Sequence, residues 1–534
     1  MAAVVASVAA ATGVEVELVV DGVAITPTAD VVRVSVDGAV IERWGPWLPG
    51  LVREMMTSAD GRRGLGVHHT PADMVDDVLD AAQAAGLVWT ESTTVLDPAV
   101  GGGAFLLAVA ERLPGQRSAI LERLAGIDID PLAVATTVAA LTLWAGVAPP
   151  RDRVRVGDFL SPDGWTEPVD VVVGNPPFLA QLRVETARSQ ARRAWLGERW
   201  PGVGRYVDDA MAFALAAVDV VTPGGTIVLI QPASMLGAAD AEPVRARLAE
   251  TAPLTGLWID HDRRFAASVD TVAVVLGPGA SGGEVRVGDR VVSAPDPTSW
   301  APLLAAELGA PSVHVAGSRT VADVAVVTAG FRDQFYGLRG AVDDDPGGAH
   351  PLVTSGAIDP LCLRWGEQPT RFDRTSYLHP VVDLDRVEAR VRPWVEARLV
   401  PKVLVASQTK VIEAVVDQGG GLVPGTPVVS VEPTAGVDVA HLAALLTSPV
   451  ATAQLVQQAA GTALSADAVR VSARLLAALP LPEDESAWHR AAQRAEVGDV
   501  VGCGQAMLSA YRLGDRSDIL VWWQDRLPIR RRGN

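Results

Sequence analysis

An α/β fold is predicted for this chain: a Rossmann-like, seven-strand sheet wrapped by crossover helices, followed by a second α/β domain. Three observations predict it. The 534 residues are too many for one compact core and divide into two or three domains. From about residue 93, short β-branched runs alternate with amphipathic helical stretches, the rhythm of a parallel sheet. Residues 279–320 are rich in Gly, Pro and Ser with no sustained period, which marks a boundary.

The expected strands cover residues 93–97, 126–129, 154–156, 169–173, 226–230, 257–260 and 271–276. Helices are expected at 104–112, 131–144, 208–221 and 243–250, the third stopped by Pro223-Gly224-Gly225. Ahead of them, residues 14–42 alternate apolar and polar with turn signals at Asp21-Gly22 and Asp37-Gly38, so a small β appendage is expected over 1–60. The sheet domain then spans 61–280, a linker 281–320, and the second domain 321–534.

Composition narrows the class. A hydrophobic share of 49% suits a globular protein, and no run of about 18 uninterrupted apolar residues suggests a membrane span, so a cytoplasmic protein is expected. Cys362 and Cys503 are too far apart for a metal cluster or a disulfide framework, and no metal is expected. The net charge of −18 argues against a polyanion partner until its distribution is considered. From Arg364 onward 19 basic residues meet 19 acidic ones, which leaves 26 basic against 44 acidic before it. The part from Arg364 onward is therefore neutral on balance and can carry a basic face. Its densest basic stretch is Arg371, Arg374, Arg386, Arg390, Arg392, Arg398, Lys402 and Lys410, with Arg530, Arg531 and Arg532 at the end.

The motifs sit at strand ends. Asp97-Pro98-Ala99-Val100-Gly101-Gly102-Gly103 puts an acid at the end of the first strand, then a glycine turn that opens a helix. Glycines admit a ligand to the backbone and the helix start offers free N–H groups, but the carboxylate would repel a phosphate. Asp97 therefore favours a cationic ligand, such as one carrying an ammonium and a sulfonium. The second strand ends Gly126-Ile127-Asp128-Ile129-Asp130; Asp128 stands where a ribose diol is gripped, whereas Asp130 before Pro131 reads as a helix N-cap. After the third strand, Asp158 can accept from an adenine amino group and Phe159 can cover a purine face. The fourth strand ends Gly174-Asn175-Pro176-Pro177-Phe178. An adenine amino nitrogen is a poor nucleophile because its lone pair is delocalised into the ring. The Asn175 oxygen and the Pro176 carbonyl can accept from it and aim the lone pair at a methyl group, while two prolines hold the acceptors still. Phe178 can stack on a base turned out of the duplex.

This order of motifs resembles the gamma group of amino DNA methyltransferases, which act on the N6 amino group of adenine, and the resemblance covers about residues 64–480. It implies S-adenosylmethionine as cofactor. His69-Thr70-Pro71 matches the segment whose Thr contacts the cofactor carboxylate. The resemblance assigns Asp97, Ala99, Gly101 and Gly103 to the methionine portion, Asp128 to the ribose, and Asp158 with Phe159 to the adenine, and it counts Ile129 among the cofactor-binding residues. It makes Asn175, Pro176, Pro177 and Phe178 the catalytic tetrapeptide, with Phe where many relatives have Tyr, and Phe265 a second aromatic for the flipped base. Residues 327–335, 401–405, 445–449 and 479–482 are similar to successive segments of the family's DNA target-recognition domain. Double-stranded DNA and a restriction or defence partner protein are the implied partners. Transfer to cytosine N4, an RNA or protein-glutamine methyltransferase, and a non-catalytic DNA-specificity component stay open as alternatives. A cytosine-C5 mechanism is disfavoured, because it needs a cysteine nucleophile and neither Cys362 nor Cys503 lies in the first domain.

Overall fold

The structure is a computed structural model and describes residues 2–16, 18–20, 23–25, 38–56, 70–178, 190–203, 207–261, 270–277, 283–315, 317–434, 436–463 and 468–528. The chain forms two compact units, Met1–Trp300 and Ala301–Asn534.

The first unit is built on a nine-stranded sheet. Its strands are β1 (Val95–Asp97), β2 (Leu124–Asp128), β3 (Val154–Val156), β4 (Val169–Gly174), β5 (Val221–Pro232), β6 (Leu254–Ile259), β7 (Thr271–Leu276), β8 (Glu284–Val287) and β9 (Arg290–Ser293). They lie in the order β9-β8-β6-β7-β5-β4-β1-β2-β3. The run from β3 through β1 to β5 is parallel, and β7 enters antiparallel between β5 and β6. All six residues of β7 are buried, as an unbroken apolar strand covered on both faces requires. The seven expected strands are all present. Pro223-Gly224-Gly225 ends no helix directly: the helix stops at Val220, and residues 222–225 fall in a register shift between the pairs Val169↔Val221 and Val171↔Thr226.

The crossover helices are α1 (Ala72–Ala84), α2 (Ala104–Arg112), α3 (Pro131–Ala145), α4 (Asp209–Val220) and α5 (Glu242–Thr251). The ends of α3 follow from its sequence: Asp130 accepts from the Leu132 N–H at 2.9 Å, Pro131 takes the first turn, and Gly146 turns left-handed at φ 78°. α4 is capped in the same way by Asp208. Arg245, 1% exposed, ties α5 to the carbonyls of Met235, Ala238 and Pro297.

Two boundaries differ from expectation. Within the proposed linker, residues 284–293 form the β8–β9 hairpin, which joins the sheet through β6, and the second unit begins at Ala301 with a helix, Ala301–Glu307. The turn is Gly288-Asp289, with Gly288 at φ 55°, a two-residue hairpin signal hidden among surrounding Gly and Pro. The described residues of the N-terminal segment are also mostly helical. It has a short hairpin, Leu18–Val20 with Val23–Ile25, but also helices Ala2–Thr12, Gly38–Trp44 and Leu48–Met56. Val4, Val5 and Val8 fall on one helical face and bury against α3 at Ala135, Ala139 and Leu143.

In the second unit, strands β10 (Ala325–Ala329), β11 (Lys402–Val405), β12 (Ala414–Asp417) and β13 (Val429–Pro433) form an antiparallel sheet ordered β10-β13-β11-β12. Helices follow at Val439–Leu446, Pro449–Ala459, Glu485–Glu496, Val500–Ala510 and Ser517–Gln524. Among the described residues no single helix is long and apolar enough to cross a membrane. The basic stretch is less free than its composition suggests. Lys402 is wholly buried and paired with Asp417 across β11–β12. Arg386 pairs with Asp343 and Asp383, Arg390 with Glu388 and Asp333, Arg392 with Glu396 and Asp385, and Arg398 with Glu432. The terminal arginines 530–532 lie outside the described residues.

Candidate active site

Parallel neighbours end together, so the carboxyl ends of β1, β2 and β4 bring Asp97, Asp128 and Asn175 to one edge of the sheet. Asp97 is 1% exposed. Burial pushes its pKa up to about 8, opposed by the Ala99 N–H that donates to it at 3.0 Å and reinforced by the charge of Asp128. The room for it comes from Gly174, where a Cβ would lie 2.7 Å from Asp97 Oδ1.

The glycine turn divides its labour. Gly101 and Gly103 have φ of 53° and 85°, conformations costly for any other residue, and Gly103 begins α2 with its N–H on the Val100 carbonyl at 2.8 Å. The Gly101 N–H donates to Asp128 Oδ2 at 2.9 Å, and Asp128 Oδ1 accepts from the Asp130 N–H at 2.9 Å. Burial raises the Asp128 pKa; the two N–H donors and the nearby Arg53 charge work against it. Ile129, between the two acids, is 64% exposed, an apolar side chain on open display at the tip of β2.

Asp158 accepts from the Leu160 N–H at 3.0 Å. Phe159 departs from its expected use: it is 4% exposed and its ring stacks on Phe213 of α4, centroids 5.5 Å apart and planes 27° apart. Its face is already covered by protein, whereas Ile129 and Val156 are exposed apolar side chains at this end of the sheet.

Asn175 carries the most informative contact. Its Nδ2 donates to Thr70 Oγ1 at 3.0 Å, and its Oδ1 is buried with no hydrogen-bond partner among the described residues. A buried acceptor left open costs about 1–3 kcal/mol, so this atom marks a place prepared for a donor. Thr70, 6% exposed just ahead of α1, thus sits against Asn175, a neighbour that motif matching alone did not suggest. Pro176 is buried, and Phe178 is half-buried against the core between α1 and the sheet. His69 and Phe265 lie outside the described residues.

Sequence reasoning missed Arg53, Gly50, Gly102 and Gly174 as parts of this site. Gly174 had a signal, a small residue between a β-branched strand and Asn-Pro-Pro. Arg53 had none, since its partner Asp130 is 77 residues away.

The strand order, with β7 reversed between β5 and β6 and acids at the ends of β1 and β2, defines a Rossmann-like methyltransferase domain. Residues 53–258 match the model of the N-6 DNA methylase family. The type II methyltransferase M.BanIII of Aneurinibacillus aneurinilyticus is 28% identical over 229 residues, 40% of this chain and 38% of that protein, so the chain matches well under half of that relative. A nuclease-deletion mutant of the type ISP restriction-modification enzyme LlaGI, solved with a DNA substrate mimic, is similar in fold with TM-score 0.51 and 12% identity, over 82% of this chain and 54% of that one. The type IIG restriction endonuclease BpuSI aligns with TM-score 0.41 and 14% identity, over 90% of this chain and 68% of that one.

Proposed function

We propose that this chain is a site-specific DNA methyltransferase that moves a methyl group from S-adenosylmethionine to N6 of an adenine turned out of the duplex, within a restriction-modification system. The observation that carries this reading is the open, buried Asn175 Oδ1 held at the carboxyl end of β4 by Thr70. An amide oxygen there accepts from an amino group, and Pro176 supplies a rigid carbonyl beside it. The acceptors withdraw the amino protons from the ring plane, so the nitrogen lone pair is released from conjugation and can attack a methyl group in line. Phe178 offers a stacking face at the tetrapeptide's end.

The residues present fit the cofactor. Asp97 is a buried carboxyl with no cationic partner among the described residues, suited to an ammonium, and Asp128 has its carboxylate fixed by two backbone donors, suited to a ribose diol. When bound, S-adenosylmethionine supplies an electrophilic methyl on a sulfonium. Asp97, Ala99, Gly101 and Gly103 would hold its methionine end, Asp128 its ribose, and Ile129 with Asp158 its adenine. Transfer is then a single displacement, and no covalent enzyme intermediate is required. The cysteines agree with this: both belong to the second unit, and burial pushes the Cys503 thiol up to about 12.

The test is to incubate the protein with methyl-labelled cofactor and either duplex DNA, RNA or a release-factor-like protein. Label in N6-methyladenine of DNA is expected; label only in RNA or glutamine, or cofactor binding with no transfer to any DNA, overturns the proposal.

Two further results are expected. Thr70→Val removes the acceptor that orients the Asn175 amide, so turnover with saturating cofactor should fall roughly tenfold, the worth of one hydrogen bond in the transition state. The cofactor Kd should change less than turnover does; the reverse split would make Thr70 a cofactor contact instead. Asp128→Ala should weaken cofactor binding by about tenfold or more, because charge-assisted bonds to the ribose are lost. An unchanged Kd in calorimetry would leave Asp128 a loop-fixing acid only.

A further inference from the structure

The helix Leu48–Met56 lies mostly ahead of the stretch that matches the methylase family, yet it touches the two loops that form the cofactor end of the site. Gly50 and Gly102 back onto each other. A Cβ on Gly102 would lie 2.7 Å from Gly50 Cα, and one on Gly50 would lie 2.9 Å from the Gly102 carbonyl oxygen. Neither glycine needs left-handed backbone, so both are small because the helix and the loop meet there. The middle glycine of the turn therefore serves the helix, while Gly101 and Gly103 shape the turn itself.

Three residues beyond Gly50, Arg53 Nη2 donates to Asp130 Oδ2 at 2.6 Å, with the arginine side chain 10% exposed. Asp130 does three things at once. Its Oδ1 accepts from the Leu132 N–H and caps α3, its Oδ2 accepts from Arg53, and its own N–H donates to Asp128 Oδ1. Asp128 in turn holds the Gly101 N–H. The pair is half-buried, Arg53 inside and the Asp130 side chain 37% exposed, so its weight lies less in charge attraction than in holding the Asp130 carboxylate in place. Arg53 also brings positive charge to an edge crowded by Asp97, Asp128 and Asp130, and its field favours the ionised Asp128.

Resting on the methyltransferase reading, the geometry points to the helix Leu48–Met56 as a built-in part of the cofactor site. Arg53 is a positioning residue that fixes Asp130 and, through it, the Asp128 carboxylate that receives the ribose hydroxyls, while Gly50 seats the glycine turn.

The test is calorimetric titration of the full chain with S-adenosylhomocysteine and with methylthioadenosine, which keeps ribose and adenine but lacks the amino-acid end. Arg53→Ala should raise both Kd values by the same factor, roughly five- to twentyfold, the usual size of a coupling carried through a packed network. Asp130→Asn should do likewise, and the double variant should be little worse than the poorer single, because both act through one contact. Arg53→Lys should recover part of the loss. A folded Arg53→Ala protein with Kd within about twofold of wild type overturns the inference, as do additive losses in the double variant. If Arg53→Ala does not fold, Asp130→Asn decides: a folded protein with wild-type Kd overturns the inference equally. Wild-type protein that binds neither ligand overturns the methyltransferase reading itself, an outcome distinct from a failed relay, in which wild-type binding stays intact.

Discussion

Asn175→Ala is expected to bind cofactor nearly as well as the wild type and to lose about 10²–10³ in the rate of methyl transfer, the typical cost of removing one preorganised polar group aimed at the transition state. The argument rests on which atom is left open. In the free protein the Asn175 amide makes its Nδ2 bond to Thr70, and its Oδ1 is buried without a donor among the described residues. An acceptor that gains its partner only when the amino group begins to pyramidalise strengthens between ground state and transition state, so its loss appears in kcat more than in KM. Single-turnover rates with preformed enzyme, cofactor and DNA measure this directly. Activity within about tenfold of wild type would remove Asn175 from the chemistry. The same variant should leave the Thr70 hydroxyl without its donor at a site that Thr70→Val also disrupts. The two substitutions should therefore be less than additive.

How far the site was legible in the sequence depends on how local each feature is. The strands that carry Asp97, Asp128 and Asn175 were readable because a parallel strand buried on both faces must be a short, nearly unbroken apolar run. The acid or amide that follows is then conspicuous. The α3 boundaries were readable for the same local reason: Asp130, Pro131 and Gly146 each satisfy a terminal backbone need. Long-range geometry was not readable. Nothing near Phe159 signals that Phe213, more than 50 residues later, takes its face, so a stacking role that suits the motif does not suit the packed ring. The alternation in residues 14–42 pointed to strands, and the hairpin Leu18–Val20 with Val23–Ile25 lies there; the helix Ala2–Thr12 ahead of it, which buries Val4, Val5 and Val8 against α3, was not read. In the second unit, counting arginines overstated the basic face. Arg386, Arg390 and Arg392 each have carboxylates within the unit, and composition does not reveal such pairing.

The second large effect is expected at Asp97, and its signature is a pH dependence. Burial holds the carboxyl protonated up to a pKa of about 8 in the free protein. A ligand ammonium needs the carboxylate, so binding must expel a proton, and cofactor affinity should rise with pH by up to about tenfold per unit below 8. Above that the ammonium itself, an α-amino group of pKa about 7.7–8.0, loses its charge, so affinity should pass through a maximum near pH 8. Asp97→Asn removes the rising limb and weakens binding by about 1.5–3 kcal/mol, the worth of a charge-assisted hydrogen bond, or roughly ten- to 150-fold at the optimum. Stability moves in the opposite direction. Between the ordinary carboxyl value of 3.8 and the folded value of about 8 the native state holds a proton that the unfolded chain has released. The free protein should therefore lose stability as pH rises through that window, whereas Asp97→Asn should lack this contribution and melt higher at neutral pH. Calorimetric titration of S-adenosylhomocysteine at successive pH values, with thermal melts alongside, checks both limbs. An affinity that does not vary between pH 6 and 8, or an Asp97→Asn protein that keeps the wild-type profile, would show that no cation is held by this carboxyl.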